Sequence, residues 1–517
     1  MRWATASSPE TVLQDRRKLS LRLITPLLLA ITAAGAVLRF LYLTRKSFWL
    51  DEGVSVMLAR LDLANLLHIL WRREANMALY YGLLRMWLHF GAGDFFVRSL
   101  SALISVAAIP VIYLLGKRLF GTATGLLAAA LFCVHAWQVR YAQEARSYSL
   151  YVLLSSLSCL FFLAAIEKPT RRRWSACIAC SLLAIYSHFF AVLVVIAQWA
   201  SFYFLRRDHA VSAGFRRSLR IIGLFFLPLA VFIVSRGTGP LSWISRPGLG
   251  DLHRFLLDLA GNGGDALLLL YAVCCAIALA AGGWRARELT FTSWRYLFLL
   301  SWLFVPVVVT LAFSLIRPVF LPRYMLTCVA PLVLLAAAGL ARLRPRWLAG
   351  ILVIAMLALS VRGTWAYYRA DFDLAREDWR GATQYVLQNA REGDGILFHS
   401  AQARMPFEHY SDAQPPRREL RVIFPDYGEE GRLSYMDFLA NARNAPLAEI
   451  PMRFPRVWLV LAHNQLKDGE PDPTTATLHQ SLAKNYRVGA QRSFAGNLQI
   501  RLYERNWPAA QQASGQR

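Results

Sequence analysis

Apolar residues in this chain fall in blocks rather than at intervals. Eleven stretches, about 21–43, 99–116, 121–138, 148–166, 174–187, 189–205, 219–235, 265–282, 296–316, 324–341 and 347–362, are nearly continuous runs of Leu, Ala, Val, Ile and Phe. A helix of about 20 such residues spans the ~30 Å hydrocarbon layer. The pattern therefore predicts a polytopic α-helical membrane protein with about eleven spans, the fifth and sixth separated only by Ser187–His188. From residue 371 the pattern changes. Helix-like stretches (378–391, 433–444, 474–485) alternate with strand-like runs (395–399, 421–424, 456–462, 498–503), which predicts a small α/β domain over 371–517. It has no Gly-rich phosphate loop and no nucleophile elbow. His399, Glu408 and His409 are read there as structural or surface groups.

Basic residues orient the spans. Lys117–Arg118, Lys168 with Arg171–Arg173, Arg206–Arg207 with Arg216–Arg217, Arg285, Arg287 and Arg295, and Arg342, Arg344 and Arg346 fall on the side of the N-terminus. An excess of Lys and Arg marks the cytoplasmic side. The expectation is a cytoplasmic tail (1–20), a membrane domain (21–362) in the inner (plasma) membrane, and a C-terminal domain in the periplasm or its equivalent. Arg16–Arg17–Lys18 precede a long apolar block without a small-residue cleavage site, so the first helix is expected to remain as an anchor. The loop 44–98 is expected outside, lying in the interface, with Tyr80 and Tyr81 as interface aromatics. A second external loop, 236–264, rich in Gly, Pro and Trp, is read as a lid, and Arg39 as an anchor snorkelling to the headgroups.

Composition adds little to that picture but removes alternatives. The chain of 517 residues is 56% hydrophobic, and sixteen Trp and twenty Tyr suit interfacial belts. A formal charge of +25 could suggest nucleic acid, yet the basic residues sit in short loops and form no stripe with interleaved aromatics. All seven cysteines lie in apolar blocks; Cys177 and Cys180, spaced as CxxC, are read as small packing residues, with no disulfide expected.

The chemistry-bearing residues collect on the external side of the predicted topology. Asp51–Glu52 opens the first loop, in Phe48–Trp49–Leu50–Asp51–Glu52–Gly53, and Glu74 follows before Leu79–Tyr80–Tyr81. Arg98 starts the second span. Gln143–Glu144–Ala145–Arg146–Ser147–Tyr148–Ser149–Leu150 marks the third turn, His188 the fifth, and Pro322–Arg323–Tyr324 the ninth.

In these motifs, over about residues 20–362, the chain resembles the GT-C superfamily of integral-membrane glycosyltransferases, in the bacterial branch related to protein O-mannosyltransferases and aminoarabinose transferases. One departure stands out: many relatives have His-Pro-Pro before Leu-Tyr-Tyr, where this chain has Asn76–Met77–Ala78. The resemblance implies a GT-C fold and transfer of a sugar from a polyprenyl-phosphate donor to an external lipid, glycan or protein acceptor, with inversion. Asp51 would be the general base, since direct displacement needs one group to deprotonate the acceptor hydroxyl, with Glu52 orienting the acceptor or tuning Asp51. Arg146 and Arg323, then Arg98, would stabilise the leaving phosphate. Glu144 would hold an Arg or line the acceptor pocket, Tyr148 and Tyr324 would line the substrate site, and Glu74 and His188 would be polar or metal contacts. No cofactor is assigned and no metal-ligand set is named; a divalent metal stays open.

Three other classes account for less. A transporter or lipid flippase tends to show internal repeats and charges near mid-membrane, and here no repeat is visible. A non-catalytic scaffold leaves Asp51 and the Gln143–Arg146 stretch unexplained. An O-antigen-type polymerase would carry its functional loop late in the chain.

Overall fold

The structure is a computed structural model describing residues 9–205, 209–236, 244–280, 291–370, 376–414, 420–426, 442, 447–464 and 472–506, with side chains described from residue 24. The helix-like stretch 433–444 lies almost wholly outside the described residues, as do Arg206–Arg207, Arg285, Arg287 and part of the loop 236–264. The chain divides into two compact units. One holds Met1–Leu41 and Ser99–Tyr368; the other holds Tyr42–Arg98 and Arg369–Arg517.

The first unit is helical. Each of the eleven apolar stretches holds a helix, but among the described residues only six are long and apolar enough to cross a membrane, or eight if each bent pair is one span. The shortfall has local causes. Arg171–Arg173 occupy the first turn of Arg171–Ser187, leaving a short apolar run, and Ala191–Phe202 is only 12 residues long. Thr122–Cys133 and Ala136–Ala142 bend by 59° at Val134–His135, and Leu249–Ala260 and Asp265–Ala280 by 71°. Small residues let helices close up: a Cβ on Gly125 would stand 2.6 Å from the Tyr113 carbonyl oxygen. Arg39 does not snorkel. It is fully buried, donating to Ser105 Oγ at 2.7 Å and to the carbonyls of Gly35 and Cys133, because helix ends in this unit supply acceptors that lipid would not.

The second unit contains a five-stranded sheet: β1 (Gly395–Phe398), β2 (Arg421–Phe424), β3 (Arg456–Leu461), β4 (Tyr486–Phe494) and β5 (Leu498–Arg505), in the order β2-β1-β3-β5-β4. β1 is parallel to β2 and β3, whereas β5 is antiparallel to β3 and β4. β3 is buried along its whole length, as a central strand with both faces covered should be. β4 is the strand the sequence pattern missed. It is an edge strand carrying Arg487, Gln491 and Arg492 with a register shift between Val488 and Ala490, features that blunt an edge and also erase alternation.

The segment 42–98 belongs to this unit and folds as three short helices, Leu50–Arg60, Leu63–Arg72 and Ala78–Trp87. Tyr80 and Tyr81 are fully buried rather than interfacial, since Ala78–Trp87 packs on Leu50–Arg60. Leu50–Arg60 also packs on Ala401–Ser411, so closely that a Cβ on Gly53 would lie 2.7 Å from Pro406.

Candidate active site

The expected residues fall into two constellations, one in each unit. In the second unit Asp51 and Glu52 occupy the first turn of Leu50–Arg60, where the helix dipole favours carboxylates. Their environments differ. Glu52 is fully buried, and its two oxygens accept from Arg98 Nε at 2.8 Å and Nη2 at 2.6 Å. Arg98 also donates through Nη1 to the carbonyls of Leu43 (3.0 Å) and Lys46 (2.7 Å), and through Nη2 to that of Ser47 (3.0 Å). All five guanidinium N–H groups are thereby committed within this unit, and none remains for a phosphate. The Arg98 guanidinium covers the Phe48 ring at 4.7 Å, and His409 stacks on Phe48 at 4.5 Å. Asp51 is half-buried, one residue along. Glu74 is half-buried in the loop between Leu63–Arg72 and Ala78–Trp87.

The residues that hold this segment come from Arg369–Arg517. Asp94 accepts from His409 Nε2 (2.8 Å), Arg380 Nη2 (2.7 Å) and the Tyr410 hydroxyl (3.0 Å). Tyr410 Oη accepts from the Phe48 N–H at 2.7 Å, and Ser47 Oγ accepts from the Arg380 N–H at 2.9 Å. Glu377 Oε2 accepts from the Leu50 N–H at 3.0 Å. His399, Glu408 and His409 do not form a cluster: His399 faces Asp472, Glu408 pairs with Arg404, and His409 holds Asp94. Sequence reasoning missed Arg380, Tyr410 and Glu377. No motif marks them, and Pro406 inside Ala401–Ser411 masks the helix that carries Tyr410.

The first unit holds the other constellation. His188 caps Arg171–Ser187, fully buried, with its ring stacked on Tyr151 (5.1 Å) and tilted against Tyr148 (5.8 Å) and Tyr324 (4.9 Å). Its Nδ1 accepts from the Phe190 N–H at 3.4 Å, which places the proton of the neutral ring on Nε2. In this turn between helices, burial and then the charges of Arg146 and Arg323 push the imidazole down to about 3, so it is neutral at ordinary pH. His188 Nε2 and the hydroxyl of the fully buried Tyr148 have no hydrogen-bond partner among the described residues. Arg146 and Glu144 are buried in the turn before Tyr148, where the Arg146 carbonyl accepts from Ser101 Oγ at 3.1 Å. Arg323, half-buried, lies over Tyr324 at 6.0 Å, and the Tyr324 carbonyl faces the Tyr151 hydroxyl. Two guanidiniums and two unpartnered neutral donors suit a multiply charged oxyanion. Among the described residues no group of three or more His, Cys, Asp or Glu is placed to hold a metal ion.

Residues 79–235 match the family model described as dolichyl-phosphate-mannose-protein mannosyltransferase. No curated protein matches the chain in sequence. Among solved structures it is similar to ArnT from Cupriavidus metallidurans in the apo state, at 13% identity and a TM-score of 0.60, over 92% of this chain and 98% of that one. The same ArnT bound to undecaprenyl phosphate matches at 13% identity and a TM-score of 0.58, over 92% and 97%. The oligosaccharyltransferase AglB from Archaeoglobus fulgidus, in complex with an inhibitory peptide and a dolichol-phosphate, matches at 12% identity and 0.53, over 94% of this chain and 75% of that one. The chain shares the fold of these solved structures, and residues 79–235 match that mannosyltransferase family model. On this fold the early acidic pair and the later Arg-Tyr motifs fall in different units and differ sharply in how their polar atoms are used.

Proposed function

We propose that this membrane glycosyltransferase moves a sugar from a polyprenyl-phosphate donor to an acceptor hydroxyl on a lipid, glycan or protein outside the cytoplasm of the inner membrane, inverting the anomeric centre. The observation that carries the reading is the division of labour within Asp51–Glu52. Glu52 is spent on Arg98, and the carboxylate beside it is half-buried at a helix start. Asp51 is the general base, worth about 10²–10⁴ in rate. Glu52 and Arg98 set the frame of that turn instead of meeting substrate. Arg146 and Arg323, with Tyr148 O–H and His188 Nε2–H, hold the donor phosphate as charge develops on the leaving oxygen. Glu144 and Tyr324 complete that wall, and Glu74 stays a polar contact near the acceptor. The undecaprenyl phosphate bound to ArnT and the dolichol-phosphate bound to AglB support a lipid phosphate as the carrier.

The test is transfer from a panel of radiolabelled polyprenyl-phosphate sugars by purified protein in lipid, wild type against Asp51→Asn. Transfer from one donor, lost at least a hundredfold in the variant with donor binding retained, is the expected result. Full activity in Asp51→Asn would move the base elsewhere. Absence of transfer from every donor, with lipid translocation instead, would replace the reading by a flippase.

A further inference from the structure

Beside Asp51 the second unit contains a pair of side chains that the roles above do not use. Glu377 is fully buried, and its carboxylate is divided between two tasks. Oε2 accepts from the N–H of Leu50, the first residue of the helix in which Asp51 is second, and Oε1 is hydrogen-bonded to His463 Nε2. The backbone behind Glu377 is fixed from the sheet. The Asp378 N–H donates to the Ala495 carbonyl in the β4–β5 turn, and Gly496, at φ +74°, lies so close that a Cβ there would stand 2.3 Å from the Arg376 carbonyl carbon. The Arg376 guanidinium covers the Trp49 ring at 5.4 Å. His463 itself follows β3 at φ +52°, a conformation rare for a residue with a side chain and one that surrounding structure must hold. Its ring is about half exposed, unlike that of the other histidines facing carboxylates in this unit, His399 and His409.

We infer that His463 is a positioning residue for Asp51: gripped by Glu377, whose other oxygen holds the Leu50 N–H, it locks the first turn of Leu50–Arg60, where the base stands. This deepens the reading of Asp51 as base and rests on it. On His463 the hydrogen bond and charge of Glu377, foremost, and then the charge of Asp51 favour the cation against burial, while His463 in turn lowers the neighbouring His399, itself paired with Asp472. The sign follows from linkage. A histidine whose folded value is raised contributes fully below its ordinary value, and that contribution is lost as pH rises through the folded one. Above that point Glu377 and Asp51 lose the cation they share, and the helix start carrying the base loosens.

The experiment is NMR of full-length protein in lipid nanodiscs with ¹³Cε1-labelled histidine, the His463 signal assigned by its loss in His463→Gln, alongside pH profiles of transfer. The expected His463 midpoint lies above the ordinary histidine value and falls by about half a pH unit or more in Asp51→Asn and further in Glu377→Gln. Asp51→Asn leaves the Glu377 contact intact and keeps the measurement meaningful if Glu377→Gln fails to fold. In the wild type the alkaline fall of kcat tracks that midpoint. In His463→Gln kcat drops about tenfold with donor KM unchanged and the fall disappears, while His463→Lys restores part of the rate and moves the fall to higher pH. A midpoint indifferent to Asp51→Asn, or a His463→Gln enzyme with the wild-type profile, overturns the inference. Failure of the glycosyltransfer reading shows separately, as no transfer by wild type, and the midpoint then decides the coupling by itself.

Discussion

Around Arg98 every guanidinium donor meets an acceptor, whereas around His188 two fully buried donors, Nε2–H and the Tyr148 hydroxyl, meet none among the described residues. Both clusters are buried and both carry arginine, so burial and charge do not separate them. Satisfaction does. A buried polar network with all partners present rigidifies a fold, and removing one member strands the others. A buried donor left open costs stability unless something that is not protein completes it. The first cluster reads as framework; under the proposed function the second receives the donor phosphate.

That contrast can be broken by substitution. Arg98→Ala strands Glu52 as an uncompensated buried carboxylate and should cost about 3–5 kcal/mol, read as a lowered thermal midpoint and faster proteolysis within 42–98. Arg323→Ala should leave the midpoint near wild type while lowering transfer by roughly 10²–10³; equal effects on stability from both would erase the distinction. Gly53→Ala, which pushes a methyl into Pro406, should cost about 1–3 kcal/mol by overpacking, and calorimetry checks it. The smallest and most discriminating change is Tyr148→Phe. Removing an unpartnered buried hydroxyl should leave the thermal midpoint equal or higher and lower donor affinity about tenfold, worth ~1.4 kcal/mol. A Tyr148→Phe protein that loses stability instead would place Tyr148 with the framework.

Much of this was legible in the chain, but unevenly. Continuous apolar runs mark helices because lipid demands them, and β1, β2, β3 and β5 announce themselves through Val, Ile, Leu and Phe. Motifs singled out Asp51, Arg146, Tyr148, His188 and Arg323 as candidates. What stayed hidden depends on partners far apart in sequence. Arg98 looked like a phosphate ligand until its acceptors from Leu43, Lys46, Ser47 and Glu52 were in place. Asp94, Arg380 and Tyr410 carry no spacing signal, since their meeting joins positions about 290–320 residues apart. His463 and Glu377 were silent for the same reason.

The grip of Arg380, Tyr410 and Glu377 on the segment 42–98 sets a timetable for synthesis. About 280 residues separate Arg98 from Arg376, so at roughly 5–20 residues per second the segment waits on the order of half a minute before the residues that complete its frame are made. Until the last strands pair, the helix start at Leu50 lacks its acceptor and Asp94 lacks its donors. A chain truncated by a stop codon or a stalled ribosome would therefore insert its helices with the acidic pair unassembled, which makes completion of translation a checkpoint for the proposed activity.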